Sequence, residues 1–277
     1  MIKKFFLTSL VLLTLSLPQV SIARTSNDPK QMQWAFEDIK LNQAWDITTG
    51  REEVTVAVID NGFDQLHPDL KANVWTNTDE ISDNGKDDDN NGYVDDRHGW
   101  NFVTDRNNPR PDVEDVKLDE KKTVNHGTMV AGLLGAKGNN NIAGSGVNWN
   151  VGLMNLKVVD NDGKGNLNSF AEAVRYGVDN GAEVISISLV GQPVDNQQKQ
   201  AIRDAIDYAY NNDVAVFSAA GNKSQNLNKN PFYPVCADND SKQEQIIGVS
   251  SVNQNHQFSS FSNGGSDCID ITAPGVD

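Results

Sequence analysis

Three residues that follow or open apolar runs carry side chains suited to polar chemistry. Asp60 closes the run Val54–Ile59 and is followed by Asn61-Gly62. A carboxylate at the end of a buried strand is costly unless a partner offsets it, so a donor is expected beside it. His126 stands in Asn125-His-Gly-Thr-Met-Val-Ala-Gly132, at the opening of the apolar helical stretch Met129 to Leu134. Asn222 ends Ser218-Ala-Ala-Gly-Asn222, where its amide can donate to a developing oxyanion. Taken singly, each has a plainer role: Asp60 as a cap or turn former, His126 as a structural histidine. Their order along the chain raises them above that.

A second constellation is acidic. Within the insertion 77–98, Asp87, Asp89, Asn91, Gly92 and Asp95 follow D-x-D-x-N-G-x-x-D. Oxygen side chains at alternate positions converge on one hard cation, Gly92 permits the sharp turn, and the Tyr93 carbonyl adds a ligand, so Ca2+ is the expected cofactor. His98 occupies the place where a full EF-hand has a bidentate Glu, which leaves Asp96 as the substitute. The plainer reading is a solvated acidic loop; against it, a loop this acidic repels itself when no cation is bound.

These residues need elements to position them. Val54–Ile59, Val151–Val159, Ala182–Leu189, Val214–Ser218 and Ile246–Val252 read as buried strands. Ser169–Asn180 and Gln197–Asn211 read as helices, the latter with Ala201/Ile202, Ala205/Ile206 and Ala209/Tyr210 on one face. Strand and helix in alternation predict an α/β fold, a central parallel sheet with helices on both faces. Such sheets bind ligands at their carboxyl edge, where Asp60 and Asn222 fall.

The chain has 277 residues, 38% of them hydrophobic, and a formal net charge of −15. That excludes a disordered chain and, through the acid excess, a nucleic-acid binder. Lys3 and Lys4, the apolar run Phe5–Leu17, Pro18 and Ser21-Ile-Ala23 predict a signal peptide over residues 1–23, and therefore a secreted or periplasmic protein with no membrane span after its removal. The remainder has 21 basic against 38 acidic side chains, a net charge of −17. Export leaves two readings for Cys236 and Cys268, 32 positions apart: a disulfide or two buried thiols.

VAVIDNGFDQLHPDL, NHGTMVAG, VISISLVG, FSAAGN and SSFSN-through-ITAPG occur in this order, and together they resemble the subtilisin-like serine proteases, most of all thermitase-like and proteinase K-like members, over roughly Asn27 to Asp277. The resemblance implies a three-layer subtilisin-like peptidase domain over 24–277, acting on polypeptide substrates as a monomer. It gives Asp60 and His126 the first two places of an Asp-His-Ser triad and Asn222 the oxyanion amide. Ser188-Leu189-Val190-Gly191 resembles the edge that pairs with an extended substrate and walls the P1 pocket. Asp69 and Asn140 match a tight calcium site, Asp28 its N-terminal ligand, and His67 a non-catalytic histidine. Cys268 sits where proteinase K-like relatives place half of a disulfide, with Cys236 near the usual partner.

Several positions depart from the family pattern. Met129 replaces a second His, and Val190 replaces a Gly beside the substrate strand. No pro-domain of normal length fits between Ala23 and Asn27. The Gly-Thr-Ser-Met-Ala nucleophile motif expected after Ala273-Pro-Gly275 does not occur, so the sequence predicts a domain incomplete at its C-terminus and inactive as written. The alternatives are an inactive peptide binder and a calcium-stabilised structural domain.

Overall fold

The computed structural model describes residues 24–29, 33–111, 125–193, 195–241 and 243–276. The expected signal peptide over 1–23 lies outside them. Helices α1 (Gln33–Asp38) and α2 (Leu41–Ile47) lead into β1 (Gly50–Asp60), followed by β2 (Gly99–Asn101), α3 (His126–Gly135), β3 (Asn150–Lys157), α4 (Leu167–Asp179), β4 (Val184–Ile187), α5 (Asn196–Asn211), β5 (Ala215–Ala219), β6 (Ile247–Val252) and β7 (Ile271–Pro274). The seven strands form one sheet in the order β2-β3-β1-β4-β5-β6-β7, every neighbour pair parallel.

The burial of β1 explains why its sequence reads as an unbroken apolar run. Ala57 and Ile59 point into a cluster with Phe170 and Val174 of α4 and Ile202 and Ile206 of α5. Val56 and Val58 point the other way, onto Ala131 of α3. Alternate residues thus bury against helices on opposite faces, which makes three layers. Each fully buried Ile or Val contributes roughly 1.5–3 kcal/mol. Asn166 caps α4 by accepting from Asn168 N, and Asp195 caps α5 by accepting from Gln198 N. On α5 the expected apolar face is buried at Ile202, Ala205, Ile206 and Ala209, whereas Tyr210 is exposed.

β4 is shorter than its apolar pattern, yet Glu183 N and Ser188 N still donate to β1 carbonyls at its two ends. β3 stops at Lys157 because the chain then folds back, Val159 pairing antiparallel with Gly165. The carboxyl ends of β1, β4 and β5 lie side by side, with Ile59 opposite Ile187 and Ile187 opposite Ser218. Among the described residues no helix is long and apolar enough to cross a membrane.

Candidate active site at the carboxyl edge of the sheet

Asp60 is the last residue of β1 and is only 1% exposed. His126 is the first residue of α3, and its Nδ1 lies 2.9 Å from both Asp60 carboxylate oxygens. An ionised carboxylate only accepts, so Nδ1 carries the proton and Nε2 is left as the basic nitrogen. Asn61 N also donates to Asp60 Oδ1, at 2.7 Å. The partner that burial of Asp60 demanded is thus His126.

The approach of α3 to the β1 end depends on small groups. Gly127 N donates to Asn61 Oδ1 at 2.9 Å, and a Cβ on Gly127 would lie 2.3 Å from the Gly62 carbonyl oxygen. Gly127 is therefore required by close approach. Asn155 on β3 closes the turn after Asp60, its amide donating to Phe63 O and its carbonyl accepting from Phe63 N. Lys157, also on β3 and 1% exposed, is the register neighbour of Asp60 and donates to Arg110 O. Neither was among the expected site residues, although a polar residue inside the apolar run Val151–Val159 was the available signal.

The hydrogen bond from His126 to Asp60 raises the imidazole above its ordinary 6.5; partial burial opposes this and the Asp60 charge adds to it. Because folding raises this value, the pair stabilises the fold fully below pH 6.5 and the contribution is lost as pH rises through the raised value. For base chemistry the same shift moves the neutral imidazole to higher pH.

A cleft of about 760 Å³ is lined by His126, Ser188, Val190, Gly221, Asn222 and Phe232 among others. Asn222 and His126 thus line a common space. Ser188, Leu189, Val190 and Gly191 continue past the end of β4 and also border a neighbouring cleft of about 670 Å³. Gly191 exchanges two backbone hydrogen bonds with Tyr233, at 2.8 and 2.7 Å. Ser186, Ser218, Ser250 and Ser251 line the larger cleft too, but no Ser hydroxyl is hydrogen-bonded to His126 among the described residues.

In the acidic loop, Glu80, Asp87 and Asp89 each place a carboxylate oxygen within 4.8 Å of the others. Glu80 is 2% exposed and lies upstream of the D-x-D-x-N-G motif, so no spacing template reached it. Asn91 turns its NH2 toward Asp89 and Asp96 and its carbonyl oxygen toward Tyr93 N. Asp95 accepts from Asn84 N and Gly85 N, both at 2.9 Å, and so braces a separate turn. The Tyr93 ring packs edge-on against Trp100, Phe102 and Tyr176. Asp96 is buried and accepts from Asn77, Asn91 and the Tyr176 hydroxyl, and His98 Nδ1 lies 2.9 Å from Trp75 O. Three crowded carboxylates offering only oxygen fit a hard cation.

Asp28, Asp69 and Asn140 also come together. Asp28 accepts from Asn139, Asn140 and Asn141 N and from the Ser26 and Ser145 hydroxyls. Asn140 Nδ2 donates to Asp69 Oδ1 at 2.8 Å. Burial pushes the Asp28 carboxyl up, but the Ser26, Ser145 and backbone donors outweigh it and hold it below the usual 3.8. The N-terminal arm is tied here to the loop after α3. His67 Nδ1 accepts from Asp69 N, apart from the Asp60–His126 pair. Cys236 and Cys268 form a disulfide that closes a 32-residue separation.

A parallel sheet covered on both faces, with a buried Asp60 paired to a half-exposed His126 beside an open cleft at the carboxyl edge, is the arrangement of a hydrolytic enzyme scaffold. The comparisons specify it further: the family model Peptidase_S8, Subtilase family, matches residues 51–277, and the chain belongs to that family. It is 31% identical to the thermophilic serine proteinase of Bacillus sp. (strain AK1) over 92% of this chain and 52% of that protein, so it spans about half of that relative's length. With thermitase of Thermoactinomyces vulgaris it shares 32% identity over 91% of this chain and 74% of the relative. Among solved structures, a protease from Pseudoalteromonas arctica PAMC 21717 superposes with a TM-score of 0.66 at 25% identity, covering 91% of this chain and 73% of that one.

Proposed function

We propose that the chain forms the acid–base half of an exported, calcium-binding serine endopeptidase, with 24–277 as its peptidase domain. The observation that carries this is the pair of 2.9 Å contacts between His126 Nδ1 and Asp60, beside the cleft that Asn222 shares. In the reaction, His126 Nε2 takes the proton of a serine hydroxyl as it attacks the peptide carbonyl. Asp60 holds the tautomer and stabilises the imidazolium, and His126 then protonates the leaving amine. The Asn222 amide donates to the oxyanion; the corresponding amide in this family supplies about 3–4 kcal/mol. A polypeptide substrate lies extended along Ser188–Gly191.

The nucleophile belongs to a Gly-Thr-Ser-Met-Ala motif that these 277 residues do not contain. The polypeptide 1–277 alone is therefore expected to leave casein intact and to take no label from a serine-directed fluorophosphonate; hydrolysis abolished by that reagent would overturn this. A second reading is a peptide-binding protein without turnover, which the open cleft beside His126 also accommodates. Peptide binding that never leads to cleavage, even after the motif is supplied, would select it.

Calcium held by Glu80, Asp87 and Asp89 would offset part of the loop's negative charge and fix its shape when bound. At 100-fold excess over Kd such binding adds about 2.7 kcal/mol, so chelation is expected to lower Tm by roughly 5–10 °C. Glu80→Gln should weaken the response. A Tm indifferent to chelator would count against the site.

A further inference from the structure

The wall of the cleft beside His126 is closed by a side chain. Val190 stands on one side and Gly221-Asn222 on the other, and all three line the same cleft. A Cβ on Gly221 would lie 2.5 Å from Val190 Cγ2, so the valine methyl rests directly against the glycine backbone. Behind it, Val190 packs on the apolar cluster of Leu227, Phe232, Val235 and the Cys236–Cys268 disulfide. Phe232 is 8% exposed and lines the cleft as well. Two backbone hydrogen bonds between Gly191 and Tyr233 hold the chain next to it.

Resting on the peptide-cleft reading above, we infer that Val190, backed by Phe232, fills the pocket for the side chain at P1, the residue whose carbonyl is attacked, so that the substrate class is peptides with Gly, Ala or Ser there. A carbonyl placed between His126 and the Asn222 amide puts its own residue's side chain between the Val190 and Gly221 walls. Gly, Ala and Ser place the least volume beside the valine, whereas an aromatic or long aliphatic side chain must displace it. Displacement in a packed cluster is unfavourable, since volume there is already filled.

Product-type peptides fix the register, because their last residue is P1 and its carboxylate meets Asn222 and protonated His126. Fluorescein-labelled peptides ending in Ala or Phe, otherwise identical, are titrated with the 277-residue chain at pH 6 by fluorescence anisotropy. The wild type is expected to bind the Ala-ended peptide at least about tenfold tighter. Val190→Gly should strengthen binding of the Phe-ended peptide by about tenfold or more and leave the Ala-ended one within about threefold. Val190→Ala should fall between, and serves if the glycine variant fails to fold by near-UV circular dichroism. Equal binding of both peptides by the wild type, or a ratio unmoved by either variant, overturns the inference while leaving the peptide cleft standing. No binding of any peptide to any variant overturns the cleft reading and this inference with it.

Discussion

In a chain joined through Asp277 to a subtilase segment carrying Gly-Thr-Ser-Met-Ala and its helix, His126→Ala is expected to lower kcat about a millionfold, and Asp60→Asn about 10⁴-fold. The two values differ because the residues act on different atoms. His126 supplies the lone pair that removes the serine proton, so its loss leaves only the oxyanion donors and binding. Asp60 never takes the proton; it holds Nδ1–H at 2.9 Å and so dictates that Nε2 is the base. Asn at this place keeps the volume but can present an NH2 to Nδ1, which allows the wrong tautomer. Chromogenic-peptide kinetics on the joined chain and both variants measure this. A fully folded joined chain that turns over equally with and without His126 would remove it from the chemistry.

The second large effect concerns stability. Removing the disulfide with Cys236→Ala/Cys268→Ala is expected to cost about 3–4 kcal/mol, from the unfolded-chain entropy that a 32-residue closure removes. Both cysteines are buried and pack with Leu227, Phe232 and Val235, so truncation also leaves unfilled space in that cluster. Together these should lower Tm by roughly 10 °C, read by thermal circular dichroism under oxidising conditions. A change below about 1 kcal/mol in urea unfolding would show that the cluster holds without the bond. The cluster also backs Val190, so the same variant should loosen the closed wall of the cleft.

Much of this architecture was legible in the residues because burial leaves a pattern. β1 is covered on both faces and therefore reads as a continuous apolar run, and the α5 face at Ile202, Ala205, Ile206 and Ala209 follows helical spacing. β2 and β7 were not legible. Gly99-Trp-Asn101 is too short to show a period, and Ile271–Pro274 ends in a proline that only an edge strand tolerates. In the site, Asp60, His126 and Asn222 could be ordered along the chain, but their convergence depends on parallel register, which no local pattern states. Glu80 escaped because its contribution comes through a fold of the loop rather than a spacing. Asp95 fitted the spacing of a calcium loop, and no spacing could show that its carboxylate also accepts from the turn at Asn84-Gly85.

The most direct test of the Asp60–His126 pair is the NMR titration of the His126 ring in the 277-residue chain and in Asp60→Asn. The wild-type midpoint should lie above 6.5, because the Asp60 hydrogen bond and charge hold the proton, and it should fall when the carboxylate becomes an amide. Midpoints that coincide in the two proteins, with both folded, would contradict a working acid–base pair at this site.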